Sequence, residues 1–222
     1  MTDFTAARLN MVESQVRPNG ITDRRIIAAI ESVPREIYVP ESRRAVAYMD
    51  EDVMLDPADR AAGPRALIEI MAFARMLQHA AITPTDKVLV VGAETGYGAA
   101  VISQIAGSVV ALECDKGLAA RARTNLGTLR NVTVVEGPLA GGAATDQAFE
   151  VILLEGRAEA VPQSLLDQLA DGGRLVAVVG ERETSHACVY SLSGGAIAIR
   201  QVFDASVTAL PGLQRKKPAF VF

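Results

Sequence analysis

From Lys87 onward, short runs of β-branched and aliphatic residues alternate with longer amphipathic stretches, and this alternation restricts the chain more than any other feature it has. Buried strands of a parallel sheet read as continuous apolar runs, and the chain must return through a helix before the next strand can lie parallel to the last. The pattern predicts strands at Lys87–Val91, Val109–Glu113, Val132–Glu136, Phe149–Leu154 and Arg174–Val179. Helices are expected near Gly96–Ala106, Lys116–Leu129 and Pro162–Ala170. After Gly180 the period changes: His186–Leu192 and Ala196–Phe203 flank Gly194-Gly195, a dipeptide that accepts the positive φ of a tight hairpin. The expected sheet is therefore five parallel strands with an antiparallel hairpin at one edge.

That combination is similar to the seven-stranded, Rossmann-like sheet of S-adenosylmethionine-dependent methyltransferases, whereas dinucleotide-binding sheets usually stay parallel throughout. Residues 1–80 read as a helical cap, and 81–222 as the α/β unit on which it packs, the two forming one globular unit. In the cap, Asn19-Gly20 is a turn, Thr22 is the expected N-cap, and Ile26, Ile27, Ile30 and Val33 recur at helical spacing. A second amphipathic helix is expected over Arg65–His79.

The bulk properties narrow the functional classes. Half of the 222 residues are hydrophobic, yet the apolar runs are short, so no membrane span is expected. The opening residues lack the basic-then-apolar order of a secretory signal, which points to the cytoplasm. A net charge of −4 disfavours a nucleic-acid partner, since phosphate binding needs a basic face. Cys114 and Cys188 lie in strand-like runs without metal-ligand spacing, so both are expected as buried free thiols, and no metal site is expected. His79 and His186 belong to no catalytic constellation, and no feature of the chain fixes an oligomeric state.

The strand Lys87–Val91 runs into Gly92-Ala93-Glu94-Thr95-Gly96-Tyr97-Gly98, the place where a nucleotide-type cofactor site begins in α/β proteins. A loop of this kind uses glycine so that its backbone can approach a ligand and take positive φ. Glu94 stands where such a glycine is most needed.

The N-terminal half is more specific. Met11-Val12 with Gln15-Val16, then Gly20-Ile21 with Asp23 and Arg25, then Val33-Pro34-Arg35-Glu36-Ile37-Tyr38-Val39-Pro40, then Ala47-Tyr48 with Asp50, closely resemble the protein-L-isoaspartate O-methyltransferase family. The resemblance continues through Gly96-Tyr97-Gly98-Ala99-Ala100-Val101 and Gly172-Gly173-Arg174-Leu175-Val176, and weakens past Gly180. It implies methyl transfer from S-adenosylmethionine to the carboxylate of an isoaspartyl residue in a protein or peptide substrate, the first step in repairing damaged proteins. It also implies cofactor contacts at Gly92, Ala93 and Gly96. Glu113, ending the second strand, would bind the ribose hydroxyls, and Glu136-Gly137 would lie on the adenine side.

The chain departs from the family where the chemistry belongs. The family's Gly-Gln-Thr-Ile-Ser-Gln-Pro motif corresponds to Ala58-Asp59-Arg60-Ala61-Ala62-Gly63-Pro64, which keeps only the proline, so no catalytic residue is assigned. Arg60 either replaces the lost hydroxyls as a charged fork for a carboxylate or is a surface arginine. The acidic residue and the middle glycine of the cofactor loop are replaced by Val90 and Glu94, and the family's Gly-Asp-Gly by Glu136-Gly137-Pro138. Glu94, Glu113, Glu136 and Glu155 all fall at strand ends in the crevice. Like charges about 4 Å apart repel by about 1 kcal/mol in water and about 4 kcal/mol in a protein-like dielectric. Either the four carboxylates point separately into solvent, or Arg60, Arg65 or Arg157 pairs with them and closes the site. Two functions follow: a divergent methyltransferase with weak or altered activity, or a non-catalytic binding or assembly module.

Overall fold

The computed structural model describes residues 3–143 and 148–215. Its helices are α1 (Phe4–Met11), α2 (Arg24–Ser32), α3 (Ile70–Ala80), α4 (Tyr97–Ser103), α5 (Lys116–Leu126) and α6 (Gln163–Leu166). A two-stranded ribbon pairs β1 (Val53–Met54) with β2 (Ala66–Leu67). The main sheet comprises β3 (Lys87–Val91), β4 (Ser108–Glu113), β5 (Val132–Glu136), β6 (Phe149–Ala158), β7 (Leu169–Val179), β8 (His186–Ser193) and β9 (Ala196–Asp204). Its order is β5-β4-β3-β6-β7-β8-β9, parallel through β7, with β8 and β9 antiparallel. The expected methyltransferase-type sheet and its terminal hairpin are both present.

The chain runs outward from β3 to β5 and then crosses to β6 on the opposite side of β3. That reversal places a crevice at the carboxyl end of β3, where open α/β sheets take their ligands. Alternate residues of the central strands feed two cores. Val88, Val90, Val109 and Ala111 join α1 to α5 in one buried cluster, while Leu89, Val91, Val110 and Leu112 pack with Leu139, Leu165 and Leu210 on the other face. The N-terminal helices are thus part of the first core: Met11, Ile30, Phe73 and Leu77 are each at most 2% exposed.

Arg35, from the Val-Pro-Arg-Glu string, knits this layer together. Although only 2% exposed, it donates from Nε to the Ala47 carbonyl (2.9 Å) and from Nη2 to the Ile68 carbonyl (2.8 Å). Its guanidinium carbon also lies 4.7 Å from the Tyr97 ring centroid. A buried guanidinium has to place its donors on acceptors, and here backbone carbonyls from two segments supply them. Glu36 of the same string accepts a hydrogen bond from the Tyr48 hydroxyl.

Several element boundaries differ from expectation for local reasons. The helix expected at Arg65–His79 begins only at Ile70, because Ala66 and Leu67 pair with Met54 and Val53 and Asp52 accepts the Glu69 N–H at 2.8 Å. The N-cap of α2 is Asp23, not Thr22, whose N–H is taken by Gln78 Oε1 at 2.7 Å. The helix expected at Pro162–Ala170 shrinks to α6, since Leu169 pairs with Phe149 and the strand resumes across a register shift. Strand β6 similarly runs on to Ala158 rather than ending at Leu154, past a second register shift. Cys114 and Cys188 are free, but half-buried rather than buried. Among the described residues no helix is long and apolar enough to cross a membrane, and no cluster of His, Cys, Asp or Glu could hold a metal. Two features expected from the sequence, the short basic cluster continuing from Arg215 into Lys216-Lys217 and the apolar ending Ala219-Phe220-Val221-Phe222 expected as a final strand or a subunit contact, lie outside the described residues.

Candidate functional site: a crevice closed from within

The loop after β3 turns through three residues with positive φ: Gly92 (81°), Glu94 (56°) and Gly96 (97°). The backbone conformation associated with a cofactor loop is therefore retained, with a glutamate at its middle position. An L-residue in this region carries a steric cost of about 1–2 kcal/mol. The Glu94 N–H is directed at Glu113, donating to Oε2 at 2.7 Å.

Glu113 ends β4 and is fully buried. Its carboxylate receives five donors: Arg65 Nη1 (2.7 Å), Cys114 N (2.8 Å) and Asp115 N (2.8 Å) on Oε1, with Arg65 Nη2 (2.7 Å) and Glu94 N (2.7 Å) on Oε2. A carboxylate offers about four lone-pair positions, so none remains for two ribose hydroxyls. Arg65 is only 2% exposed, and its Nη2 also stands 3.9 Å from Glu94 Oε1. Burial opposes the guanidinium charge, but the hydrogen bonds to Glu113 and the fields of Glu94 and Glu113 outweigh it and hold the arginine firmly protonated, its pKa raised.

Local structure explains how Arg65 arrives there. The β1–β2 ribbon continues one step further, with Leu55 N donating to the Arg65 carbonyl at 2.8 Å. Asp115, the N-cap of α5, ties down the rest of the loop by accepting Ala58 N (3.0 Å) and Asp59 N (2.8 Å) as well as its own helix's Leu118 N (2.9 Å). An N-cap aspartate so reaches across to the segment where the family motif has been replaced.

The other wall of the crevice is a carboxylate layer. Glu94 is 2% exposed and Glu155 4%. Burial raises the Glu94 pKa well above the ordinary carboxylate value, with Arg65 offsetting part of the effect. Burial likewise pushes Glu155 up to about 8, against the opposing field of Arg35. Glu94 Oε2, Glu155 Oε1, the Tyr97 hydroxyl and Arg65 Nε are buried without a hydrogen-bond partner among the described residues. Glu155 Oε1 occupies the space beside Gly98, 1.5 Å from where a Cβ would stand, so Gly98 admits a carboxylate from this chain rather than a ligand.

Leu210 completes the closure. A Cβ on Gly92 would stand 2.5 Å from its Cδ2, and one on Gly156 2.7 Å from its Cγ. The segment is held by Arg157 N donating to the Thr208 carbonyl (2.9 Å) and Leu210 N donating to the Arg157 carbonyl (2.8 Å). Leu126 covers Gly96 in the same manner, at 2.7 Å from a notional Cβ.

Gly92, Ala93, Gly96 and Glu113 are consequently brought together, but under Arg65, Leu210 and Leu126 rather than facing a cleft. Glu136 stands apart: although paired in register with Glu113, it is an exposed residue 3.4 Å from Arg123. Gly137 donates its N–H to the Glu113 carbonyl at 3.0 Å. Of the arginines considered from sequence, Arg65 makes the internal ion pair, Arg60 is exposed, and Arg157 donates to the Gly180 carbonyl at 2.8 Å. His79 stacks on Phe203 and His186 pairs with Asp204, both remote from the crevice. In this arrangement Glu113, the residue expected to take the ribose hydroxyls, is already saturated, and Leu210, Leu126 and Glu155 lie against Gly92, Gly96 and Gly98.

Arg65 was visible in the sequence as one of three arginines that could pair. Leu210 gave no signal, because nothing in the local pattern of an apolar residue before Pro211 indicates which glycine it will cover. Asp115 carried only the ordinary mark of an N-cap.

Comparison with known proteins places this geometry in a family. The sequence pattern of the family described as protein-L-isoaspartate(D-aspartate) O-methyltransferase (PCMT) matches residues 7–211. A protein-L-isoaspartate O-methyltransferase of Koribacter versatilis (strain Ellin345) is 34% identical over 221 residues, covering 99% of this chain and 97% of its own. A protein-L-isoaspartate O-methyltransferase 2 of Geotalea uraniireducens (strain Rf4) is 38% identical over 184 residues, covering 82% of each. Among solved structures, a protein-L-isoaspartate O-methyltransferase superposes with a TM-score of 0.78 at 22% identity, over 93% of this chain and 67% of that one. A Plasmodium falciparum structure, in complex with S-adenosyl-L-homocysteine, superposes with a TM-score of 0.75 at 18% identity, over 95% and 99%. The family is S-adenosylmethionine-dependent and acts on protein substrates. With the match spanning nearly the whole chain and the sheet in agreement, this chain belongs to the protein-L-isoaspartate O-methyltransferase family.

Proposed function

We propose that this protein is a family member whose cofactor crevice is closed by its own side chains, so that methyl transfer to isoaspartyl carboxylates is far weaker than the family reaction or lost. The fold is then kept as a binding or assembly module. The observation that carries this reading is the saturation of the Glu113 carboxylate by Arg65 and three backbone N–H groups. Opening the site would strip a buried guanidinium and a buried carboxylate of each other, and breaking such a pair typically costs about 3–5 kcal/mol. A ligand that had to supply that energy would lose roughly two to four orders of magnitude in affinity. The intact Arg35 network supports the retained scaffold, since it ties together the packing of the N-terminal layer.

Calorimetric titration with S-adenosyl-L-homocysteine tests the reading. No heat and no thermal stabilisation at millimolar ligand is expected, and micromolar affinity overturns it.

A second reading, residual or altered methyl transfer, is favoured by the positive φ of Gly92 and Gly96 and by the carboxylate kept at the end of β4. Under it, the ligand displaces Arg65. A methyl-transfer assay on an isoaspartyl peptide then gives turnover that rises when Arg65 is shortened, whereas the closed-crevice reading expects turnover far below the family reaction or none in the unaltered protein.

A further inference from the structure

Strand β9 is the last of the main sheet, and among the described residues only β8 pairs with it. Its residues Ala196–Asp204 include neither proline nor lysine, with which sheet edges are commonly blunted. Its register shift lies near the far end, opposite Ala187 and Cys188, so Ala196–Gln201 run in regular register. The hairpin fixes which backbone groups this edge offers. Ser193 and Ala196 close the two-residue loop Gly194-Gly195, and the closing pair of such a loop exchanges both backbone hydrogen bonds. By alternation Ala198 and Arg200 also face β8, and the N–H and C=O groups of Ile197, Ile199 and Gln201 point away from the sheet.

The side chains alternate as well. Arg200 lies opposite Val189, part of the core that includes α3, whereas Ile199 lies opposite Tyr190, part of the core on the other face. Ile199 is 62% exposed, and Arg200 is exposed too. On the α3 side an open concavity of about 540 Å³ is bordered by Arg75, Gln201, Val202, Phe203 and Asp204. The Arg75 guanidinium carbon stands 3.9 Å from the Phe203 ring centroid, and His79 stacks on the same ring. Burial, together with the fields of Arg200 and Arg75, lowers the His79 pKa, so the two guanidiniums share one neighbourhood. Among the described residues no carboxylate lies within ion-pair distance of Arg75 or Arg200. Asp204, the acid at the end of the strand, has Oδ1 engaged by His186 Nδ1 (2.8 Å) and Gln201 Nε2 (3.4 Å).

A strand added to this edge meets an isoleucine on one face and guanidiniums on the other, and the alternate residues of an extended segment have to match these faces in turn. A second copy of β9 offers no carboxylate within Ala196–Gln201 to meet the arginines. We propose that the β9 edge docks an extended peptide segment of a partner protein in which aliphatic and acidic residues alternate. Its backbone pairs with Ile197, Ile199 and Gln201, and its carboxylates meet Arg200 and Arg75. The edge is four strand positions from β3, so the proposal goes beyond the closed crevice and stands whether or not a methyl donor binds there.

The experiment titrates the full chain with a blocked synthetic peptide of about eight residues, alternating valine and glutamate and long enough for a typical strand. Amide resonances and hydrogen exchange of Ile197, Ile199 and Gln201 are followed by NMR. Saturable shifts and slowed exchange at these amides are expected, with a dissociation constant of about 1 mM or tighter. The same peptide with lysine in place of glutamate should bind several-fold more weakly. Ile199→Pro removes an outward N–H while sparing the ladder to β8, and it should abolish binding. Arg200→Glu, at an exposed position, should weaken binding about tenfold and decides the matter if Ile199→Pro does not fold. Four results overturn the proposal: protection of the three amides before any peptide is added, a dimer in sedimentation that Ile199→Pro dissociates, equal affinity for the glutamate and lysine peptides, or affinity unchanged in both variants.

Discussion

The guanidinium of Arg65 meets the carboxylate of Glu113 with both prongs, Nη1 to Oε1 and Nη2 to Oε2 at 2.7 Å each, and neither side chain is more than 2% exposed. Residues 48 positions apart in the chain thereby form the floor of the crevice. The geometry is the planar two-pronged match that lysine cannot make.

Removing one partner of this pair should be far more damaging than removing both charges. Arg65→Ala leaves Glu113 buried with only backbone donors, and a loss of about 3–5 kcal/mol is expected. Arg65→Met combined with Glu113→Gln removes the uncompensated charge and should recover at least about 1 kcal/mol of that. Urea denaturation of the single and the double variant beside the unaltered protein checks it. Equal stability in the single and double variants would mean that the pair is not coupled.

Glu94→Gly should stabilise the protein. It relieves a side chain held at φ 56° and removes a buried carboxylate whose Oε2 has no partner, while the backbone hydrogen bond to Glu113 survives. The left-handed backbone contributes about 1–2 kcal/mol of strain and the added chain flexibility of glycine returns about 0.5–1 kcal/mol. A net gain of about 1 kcal/mol is expected from thermal or urea unfolding. A loss of stability would show that the 3.9 Å attraction of Glu94 to Arg65 dominates.

Stability should fall as the pH rises from about 4.5 towards about 8. Glu155 titrates near 4.5 when unfolded and at about 8 when folded, and Glu94 is displaced in the same direction. Across that window the folded state holds a proton that the unfolded chain has released, so raising the pH favours unfolding by at most about 1.4 kcal/mol per pH unit for each such proton. Below the window both states are protonated, and above it both are ionised, so the slope vanishes. Glu155→Gln should flatten the profile measured by urea unfolding between pH 5 and pH 8, to the extent that its own proton is responsible. An unchanged slope in the variant would assign it elsewhere.

Leu210→Ala opens a void above Gly92 and Gly156, which its side chain covers at 2.5 Å and 2.7 Å from their notional Cβ positions. A buried leucine truncated to alanine costs about 2–5 kcal/mol. Backbone hydrogen exchange of residues 207–213 should accelerate together with the loss of stability. Normal protection there would show that the bonds to Arg157, not the leucine, hold the segment.

Much of the sheet was legible from the chain because its central strands β3, β4 and β6 are buried on both faces, and burial of that kind demands continuous apolar runs. The bounds of β3 and β5 agree with the pattern, and β8 and β9 each extend it by one residue. The misread boundaries share another cause. Leu169–Gly173 joined β7, and Ala66–Leu67 joined a ribbon, because each met a partner distant in sequence. Local propensity contains no information about such a partner.

The crevice divides in the same way. Residue type and spacing alone identified the family, placed Glu113 at a strand end, and marked Glu94 as a residue standing where glycine belongs. That Glu94, Glu113 and Glu155 are buried together while Glu136 is exposed was decided only by the tertiary structure. So was the choice of Arg65 over Arg60 or Arg157, and the seating of Leu210 on Gly92. The physical reason is that charge and polarity are properties of a residue, whereas desolvation and pairing are properties of a place, and the place exists only once the β1–β2 ribbon and the segment after β9 have folded over the end of the sheet.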